Sequence, residues 1–164
     1  FLNFRKPPNF NMYVRTLSIL NACDVLIGNS LLAPPPKDPL DIVDLSLGEL
    51  NLIVHAPGMA AWRTVLRHYN GIYVIRDTSD GSLYVGATFA SIFDCWRDDY
   101  VGDGWKQKKH LGVKTPAHVE KHFRWSLFRV FPNKTEKAVL SEAETLAKKM
   151  LGTRVTKLGG LNAN

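Results

Sequence analysis

Cysteine is scarce in this sequence, and long apolar runs are absent. The 164 residues contain two cysteines, Cys23 and Cys95, which are too few and too far apart for a disulfide framework or a cysteine zinc site. The longest apolar region, LSILNACDVLIGNSLLA, is interrupted by Asn21, Asp24 and Asn29, so it does not form a bilayer span. The chain has no internal repeat. We therefore expect a cytoplasmic protein without membrane association.

Acidic residues are outnumbered by basic ones. There are 21 Lys and Arg residues against 15 Asp and Glu, which gives a net charge of +6. This balance favours a polyanionic partner, although many basic proteins bind none. With 45% hydrophobic and 22% charged residues, the composition is that of a globular protein with one core of ordinary size. Composition leaves the oligomeric state open between monomer and homodimer.

Proline and glycine divide the first half of the chain into its predicted elements. The stretch APPPKDP at 33–39 stops any helix and is the best candidate for an internal boundary. Ser46 and Glu49 then have the spacing of a capping box. They predict a helix over 47–55 that Pro57 and Gly58 terminate. AWRTVLRHYN predicts a second short helix over 61–70.

The stretch GIYVIRDTSDGSLYVG, residues 71–86, predicts a β-hairpin, because strand-forming residues flank the turn at Asp80-Gly81. Apolar residues at the spacing of one helix face follow, namely Phe89, Ile92, Phe93 and Trp96. HFRWSLFRVF at 122–131 predicts a third strand, and Thr135 then caps a long helix that ends at Gly152. The expected fold class is α+β, with a small three-stranded antiparallel sheet flanked by helices and a mainly helical N-terminal extension.

One carboxylate of the last helix lies on its apolar side. The apolar stripe is formed by Leu140, Ala143, Ala147, Met150 and Leu151. Glu144 lies about 40° from Leu140 on the helical wheel and therefore inside this stripe. Such a carboxylate is paired, hydrogen-bonded, bound to a metal or placed at the rim of a cleft, because bare burial costs several kcal/mol. The helix alone leaves these alternatives open.

Together with two tyrosine motifs, this glutamate resembles the GIY-YIG nuclease family. GIY at 71–73 is followed, after a spacer of ten residues, by YVG at 84–86. A helix, a strand and a helix carrying Glu144 come next, and LGTR at 151–154 with GLNAN at 160–164 is similar to the close of the family's domain. The resemblance defines a nuclease-like domain at 70–164 and leaves 1–69 as a helical extension of unknown role.

The resemblance implies metal-dependent hydrolysis of DNA phosphodiesters with one Mg²⁺ or Mn²⁺ ion. It implies that Tyr73 and Tyr84 are the two motif tyrosines, and that Tyr73 activates the attacking water directly or through a neighbour. It also implies that Glu144 binds the metal and that Asn162 is the asparagine of the catalytic set. A single carboxylate is a plausible ligand set, because Mg²⁺ keeps most of its waters. For the tyrosines alone, cross-strand packing is the alternative.

At one position the chain departs from the family, which has an arginine on the helix after the second motif. In SIFDCWRDDY that position is occupied by Cys95. Arg97 is rotated by about 200° on the helix and points elsewhere. Three interpretations stay open: the site only binds DNA, another basic residue reaches in, or the cysteine is an inactivating change. The functional hypothesis is a metal-dependent DNA endonuclease that Cys95 impairs. The alternative is an inactive DNA-binding or protein-interaction module on the same fold.

The segment WKQKKHLGVKTPAHVEKHFR at 105–124 is strongly basic. In a nuclease such a segment contacts phosphates without reading sequence, and its affinity falls with salt. The alternative is a solvated charged loop. The residues expected to bind DNA are Lys106, Lys108, Lys109, His110, Lys114, Lys121 and Arg124, together with Arg97 on the preceding helix.

Overall fold

A computed structural model describes residues 32–101, 104–107, 114–154 and 160–162. The chain divides into two units, Phe1–Ala33 and Pro34–Asn164, and every element named below belongs to the second. Within the described ranges, no helix has the length and apolar character needed to cross a membrane.

The described part of Pro34–Asn164 contains four strands and five α-helices. The strands are β1 (Leu45–Ser46), β2 (Tyr69–Asp77), β3 (Leu83–Ala87) and β4 (Phe123–Pro132). The helices are α1 (Leu47–His55), α2 (Ala60–Arg67), α3 (Ile92–Asp99), α4 (Pro116–His122) and α5 (Lys137–Met150). Short 3₁₀ turns cover Pro39–Asp41, Pro57–Met59 and Gly104–Gln107. The protein is therefore α+β, as the sequence predicts.

The strands form one antiparallel sheet in the order β1-β4-β2-β3. In the hairpin of β2 and β3, Tyr73 pairs with Gly86 and Ile75 pairs with Tyr84. Its turn contains Gly81 at φ 77°, a left-handed conformation that glycine adopts without strain. The predicted hairpin is thus confirmed, with β2 as an inner strand and β3 at an edge.

The predicted count of three strands is wrong by one. The additional strand, β1, has two residues and pairs Leu45 with Trp125 at the outer side of β4. Asp44 precedes it at φ 55°, and a strand this short shows no alternation that the sequence can display. On its other side β4 pairs with β2, where the register shifts between Ile72 and Tyr73.

The two faces of the sheet carry separate layers of core. Successive residues of a strand point to opposite faces, so Tyr73 faces α3 while Ile72 faces α5. On the first face the largest fully buried side chains include Trp96, Tyr100, Phe123, Trp125, Leu50, Ile53 and Leu66. On the second face Ile72 and Val85 pack against Ala143 and Ala147 of α5. Helix α5 therefore lies across the hairpin strands.

Local capping determines where α1 begins. Oγ of Ser46 accepts a hydrogen bond from the backbone of Glu49 at 3.2 Å, and the Glu49 carboxylate accepts one from the backbone of Ser46 at 2.6 Å. The predicted capping box and the helix over 47–55 are both confirmed. The next helix, α2, ends at Arg67 instead of residue 70, because Tyr69 and Asn70 belong to β2 and pair with β4.

Helix α3 also begins later than its apolar pattern predicts. Ser91 is its N-cap and accepts a hydrogen bond from the Asp94 backbone, so Phe89 precedes the helix and is 48% exposed. The inclusion of Phe89 in the buried face was therefore wrong. Ile92, Phe93 and Trp96 are buried as predicted.

The boundaries of α5 differ from the prediction at its start. Thr135 does not cap the helix: its hydroxyl donates to the Pro132 carbonyl, and α5 begins at Lys137. Gly152, at φ 64°, follows the helix as expected of a C-terminal glycine. Met150 is 68% exposed and does not belong to the buried stripe. Within the basic segment at 105–124, the residues Pro116–His122 form α4.

Candidate active site

The two motif tyrosines lie side by side on the hairpin. Tyr73 is 2% exposed, and its ring centroid is 6.4 Å from that of Tyr84. The Tyr73 hydroxyl shares a hydrogen bond of 2.7 Å with the hydroxyl of Tyr100. The ring of Trp96 meets Tyr73 edge-on, with centroids 6.3 Å apart. The hairpin thus aligns phenol groups against α3, and the buried hydroxyls of Tyr73 and Tyr100 satisfy each other.

The glycines beside the tyrosines make this arrangement possible. A Cβ at Gly86 would lie 3.0 Å from Cε1 of Tyr73 and closer still to its Cζ and hydroxyl. Gly86 is the residue opposite Tyr73 across the hairpin, so the phenol ring crosses over the glycine backbone. At Gly71 a Cβ would lie 2.9 Å from the backbone oxygen of Arg129 and 3.2 Å from Ile92. Each tyrosine motif therefore carries glycine where another chain segment approaches closely.

The environment keeps all three phenols protonated at neutral pH. Burial, followed by the negative charge of Glu144, raises the pKa of Tyr84 to about 12. Burial, followed by the neighbouring Tyr100, raises the pKa of Tyr73 well above its ordinary value. For Tyr100 the rise in pKa comes from burial and then from Tyr84. The three hydroxyls can therefore donate hydrogen bonds at neutral pH, and activation of the attacking water by Tyr73 stays a prediction.

Glu144 comes to this cluster from α5. Its side chain is 20% exposed and forms an ion pair of 3.0 Å with Lys148 one turn later, whose side chain is 11% exposed. Its charge acts on Tyr84, on the adjacent edge strand. The predicted position inside the apolar stripe is thus explained by pairing with a cation of the same helix. Lys148 was missed by the sequence reasoning, although its spacing of four residues from Glu144 is that of a helical ion pair.

The position where the resemblance expects arginine also faces the tyrosines. Cys95 donates a hydrogen bond of 3.5 Å to the carboxylate of Asp99, one turn further along α3. After burial and Glu144, both groups contribute to the raised pKa of Tyr84. Asp99 and Tyr100 were missed by the sequence reasoning. The signal for Tyr100 is that it follows Trp96 by four residues and continues the buried side of α3.

Asn162 fastens the end of the domain to the edge strand. Its Oδ1 accepts a hydrogen bond of 2.9 Å from the Val85 amide, and its Nδ2 donates one of 2.8 Å to the Val85 carbonyl. The residue is 5% exposed. Two residues earlier on the same strand, Leu83 forms a β-bridge with Gly160. Both ends of the Asn162 side-chain amide are thus engaged by the backbone of the strand that carries Tyr84, and its place in the catalytic set stays a prediction.

Glu144 is the carboxylate that the resemblance assigns to a divalent cation. Among the described residues, no group of three or more His, Cys, Asp or Glu side chains is arranged to hold a metal ion. A hydrated Mg²⁺ ion needs few protein ligands, and Glu144 supplies a partly exposed carboxylate. The Lys148 ammonium lies 3.0 Å from Oε1 of Glu144. A single partly exposed carboxylate is compatible with one hydrated ion.

The residues expected to bind DNA are not equivalent. Lys108, Lys109 and His110 lie outside the described residues. Lys106 and Lys121 are exposed, and Arg124 donates to the Phe123 carbonyl at 2.7 Å. Arg97 is held by carboxylates of Asp94 at 2.9 Å and Asp98 at 2.7 Å. The charge of Arg97 is thus already balanced within the chain.

A buried carboxylate anchors the end of the basic segment. Asp77 has no solvent exposure and accepts hydrogen bonds from His118 at 2.6 Å and from the hydroxyl of Ser79 at 2.6 Å. Lys114 lies 3.4 Å from the same carboxylate. Burial works to raise the pKa of Asp77, but the bonds from Ser79 and His118 outweigh it and hold the pKa well below its usual value. Lys114 therefore has an anchoring contact as well as its expected role toward DNA.

Comparisons with protein-family models, curated proteins and solved structures find no significant match to this chain.

Proposed function

We propose that the chain is a divalent-metal-dependent DNA endonuclease of the GIY-YIG type. The observation that carries this proposal is that groups from four separate elements interact around Tyr84 at the edge of the hairpin. Tyr73 comes from β2, Tyr84 from β3, Cys95 from α3 and Glu144 from α5. The resemblance assigns these same four positions to the catalytic site. Helix packing alone does not require phenols, a thiol and a carboxylate to converge.

The chain's own groups have distinct roles in the proposed reaction. Tyr84 is partly exposed, and its hydroxyl donates a hydrogen bond to a phosphodiester oxygen or to the attacking water. The hydrogen-bonded pair of Tyr73 and Tyr100 orients Tyr84 and excludes water from its buried side. Glu144 would hold the cation, which when bound would neutralise charge developing on the phosphoryl oxygens. Binding of the substrate backbone falls to the exposed lysines, in keeping with the net charge of +6.

A non-catalytic DNA-binding module is the second candidate, and a specific observation favours it. Cys95 provides no fixed positive charge where the family has a guanidinium, and its thiol is directed to Asp99. Loss of one contact that stabilises the transition state costs about 10²–10³ in rate. Arg97 does not replace it, since its guanidinium pairs with Asp94 and Asp98.

Nicking of supercoiled plasmid separates the two candidates. The wild type, Glu144→Gln and Cys95→Arg are compared with Mg²⁺ or Mn²⁺ and with EDTA, and Glu142→Gln on the exposed side of α5 is the matched control. We expect slow, metal-dependent nicking by the wild type and by Glu142→Gln, loss with Glu144→Gln, and a gain of about 10²-fold with Cys95→Arg.

Each outcome assigns the function. Nicking only by Cys95→Arg indicates a disabled nuclease whose present role is binding. No nicking by any variant, with salt-sensitive DNA binding retained, overturns the catalytic proposal in favour of the binding module. Nicking that Glu144→Gln leaves unchanged removes Glu144 from the mechanism.

A further inference from the structure

Lys148 is a buried cation on the core-facing side of α5. Its residue is 9% exposed, whereas the next residue in the chain, Lys149, is exposed. Lysine is almost never this buried unless it is paired. Within the part of the chain that the structure describes, the cation that pairs with Glu144 is Lys148, at 3.0 Å from Oε1.

Placement at the end of the helix does not explain this burial. Lysines in a last turn stabilise the helix through its dipole, and they do so equally well from a solvated position, as Lys149 can. Desolvating an ammonium and a carboxylate is costly and is offset only by close pairing. The negative charge of Glu144 also acts on Tyr84. The burial of Lys148 is therefore better explained by its ion pair with Glu144.

The ammonium and a divalent ion compete for the same carboxylate. Mg²⁺ binds carboxylate oxygens at about 2.0–2.1 Å, and Nζ of Lys148 lies 3.0 Å from Oε1 of Glu144. An ion on that oxygen would displace the ammonium, and an ion on the other oxygen would share the single negative charge with the ammonium and be repelled by it. In both cases Lys148 weakens the binding of the metal.

We propose that Lys148 is a resident competitor for the cation site at Glu144, so that it sets the metal affinity of the site and must move aside when the metal binds. This inference rests on the proposed function, since it takes Glu144 as the metal ligand. Glu144 then has two alternative partners: the ammonium of its own helix, and a divalent ion.

The test is Mn²⁺ binding by calorimetry and by the electron paramagnetic resonance of free Mn²⁺, without DNA and without any activity measurement. Lys148→Gln keeps a side-chain N–H donor for Glu144 and removes the charge. Lys149→Gln removes the same charge from the exposed neighbouring position and is the matched control. We expect Lys148→Gln to bind Mn²⁺ at least tenfold more tightly than the wild type, and Lys149→Gln to bind it as the wild type does. Adding Glu144→Gln to Lys148→Gln should abolish the tight binding.

A second measurement keeps the inference testable if Lys148→Gln does not fold. In the wild type, the NMR signals of the Lys148 side chain are followed during titration with Mg²⁺. Displacement predicts that they shift in step with metal binding while those of Lys149 stay in place. A Lys148 signal that does not respond at metal saturation overturns the inference.

The outcomes for this inference and for the proposed function can be told apart. Metal binding through Glu144 that Lys148→Gln leaves unchanged or weakens overturns the competitor role, while the nuclease proposal stands. No Glu144-dependent metal binding, by the wild type or by Lys148→Gln, overturns both the competitor role and the assignment of Glu144 as ligand.

Discussion

Replacing Gly86 by alanine tests whether the tyrosine motifs are built around the crossing of Tyr73 over the β3 backbone. The added Cβ would lie 3.0 Å from Cε1 of Tyr73 and closer to the hydroxyl end of the ring. Gly86 does not lie in the left-handed region, where Gly81 and Gly152 are found. The backbone therefore accepts alanine without strain, and the whole effect is a steric conflict with one side chain.

The size of the effect follows from the surroundings of the ring. Non-bonded carbons are most stable at about 3.5–4.0 Å, and the hydroxyl end of the Tyr73 ring lies closer than 3.0 Å to the added Cβ, so it must retreat by about 1 Å. It is enclosed by Trp96 at 6.3 Å, Tyr84 at 6.4 Å and Tyr100 at 5.8 Å between centroids. Overpacking of this kind costs about 1–3 kcal/mol, which lowers Tm by about 4–12 °C for a unit of this size.

Thermal and urea unfolding measure this loss, and Gly48→Ala is the matched control. Gly48 is exposed in the first turn of α1, and the nearest atom to an added Cβ is the Ser46 hydroxyl at 3.9 Å. Alanine is the better helix former, so Gly48→Ala should leave stability unchanged or raise it by up to about 1 kcal/mol. If the wild type nicks DNA, Gly86→Ala should also lower the rate about 10²-fold, as expected for a displacement near 1 Å.

A double-mutant cycle provides the refutation. In a Tyr73→Ala background the conflict is absent, and Gly86→Ala should cost less than about 0.5 kcal/mol. Equal costs in both backgrounds, or a Gly86→Ala protein as stable as the wild type, contradict the steric account of the motif.

Two further predictions concern the anchors of the site. Asp77→Asn should destabilise the fold by about 3–5 kcal/mol near neutral pH, because it breaks a buried charged network. Since the folded pKa of Asp77 is depressed, its contribution is complete above the unfolded value of about 3.9 and is lost as pH falls below it. Urea unfolding across pH should show that the acid-side loss is smaller in Asp77→Asn than in the wild type, and equal slopes would contradict this. Asn162→Ala leaves the backbone groups of the buried Val85 without their clamp, so it should cost about 1–3 kcal/mol. Hydrogen exchange should show faster exchange of the Val85 amide, whereas Asn133→Ala, at an exposed position, should leave that amide protected.

Features set by neighbouring residues were predictable from the sequence. The capping box at Ser46 and the turn at Gly81 depend on contacts within a few residues, and both are present. Glu144 was identifiable because a charge interrupts an apolar period. In each case, local chemistry and the final fold require the same residue.

Features set by contacts between distant elements were not predictable. Tyr100 belongs to the site because α3 runs along the hairpin and brings its hydroxyl to Tyr73. Whether Phe89 belongs to α3 depended on which residue caps the helix. Ser91 is that residue, so Phe89 lies outside the helix. The pairing of Lys148 was readable as a spacing, but its burial depends on how α5 lies across the sheet.

The closing residues of the domain have a consequence for how the protein meets other chains. The Leu161 backbone N–H donates a hydrogen bond to the Leu83 carbonyl at 2.9 Å. The side-chain amide of Asn162 bonds both the N–H and the carbonyl of Val85. An open edge strand is a template for strand addition by a peptide or by a second molecule. Here that template is already used by the chain itself over Leu83–Val85. Any assembly that buries the tyrosine edge must therefore dock through side chains and not through shared β-pairing at these residues.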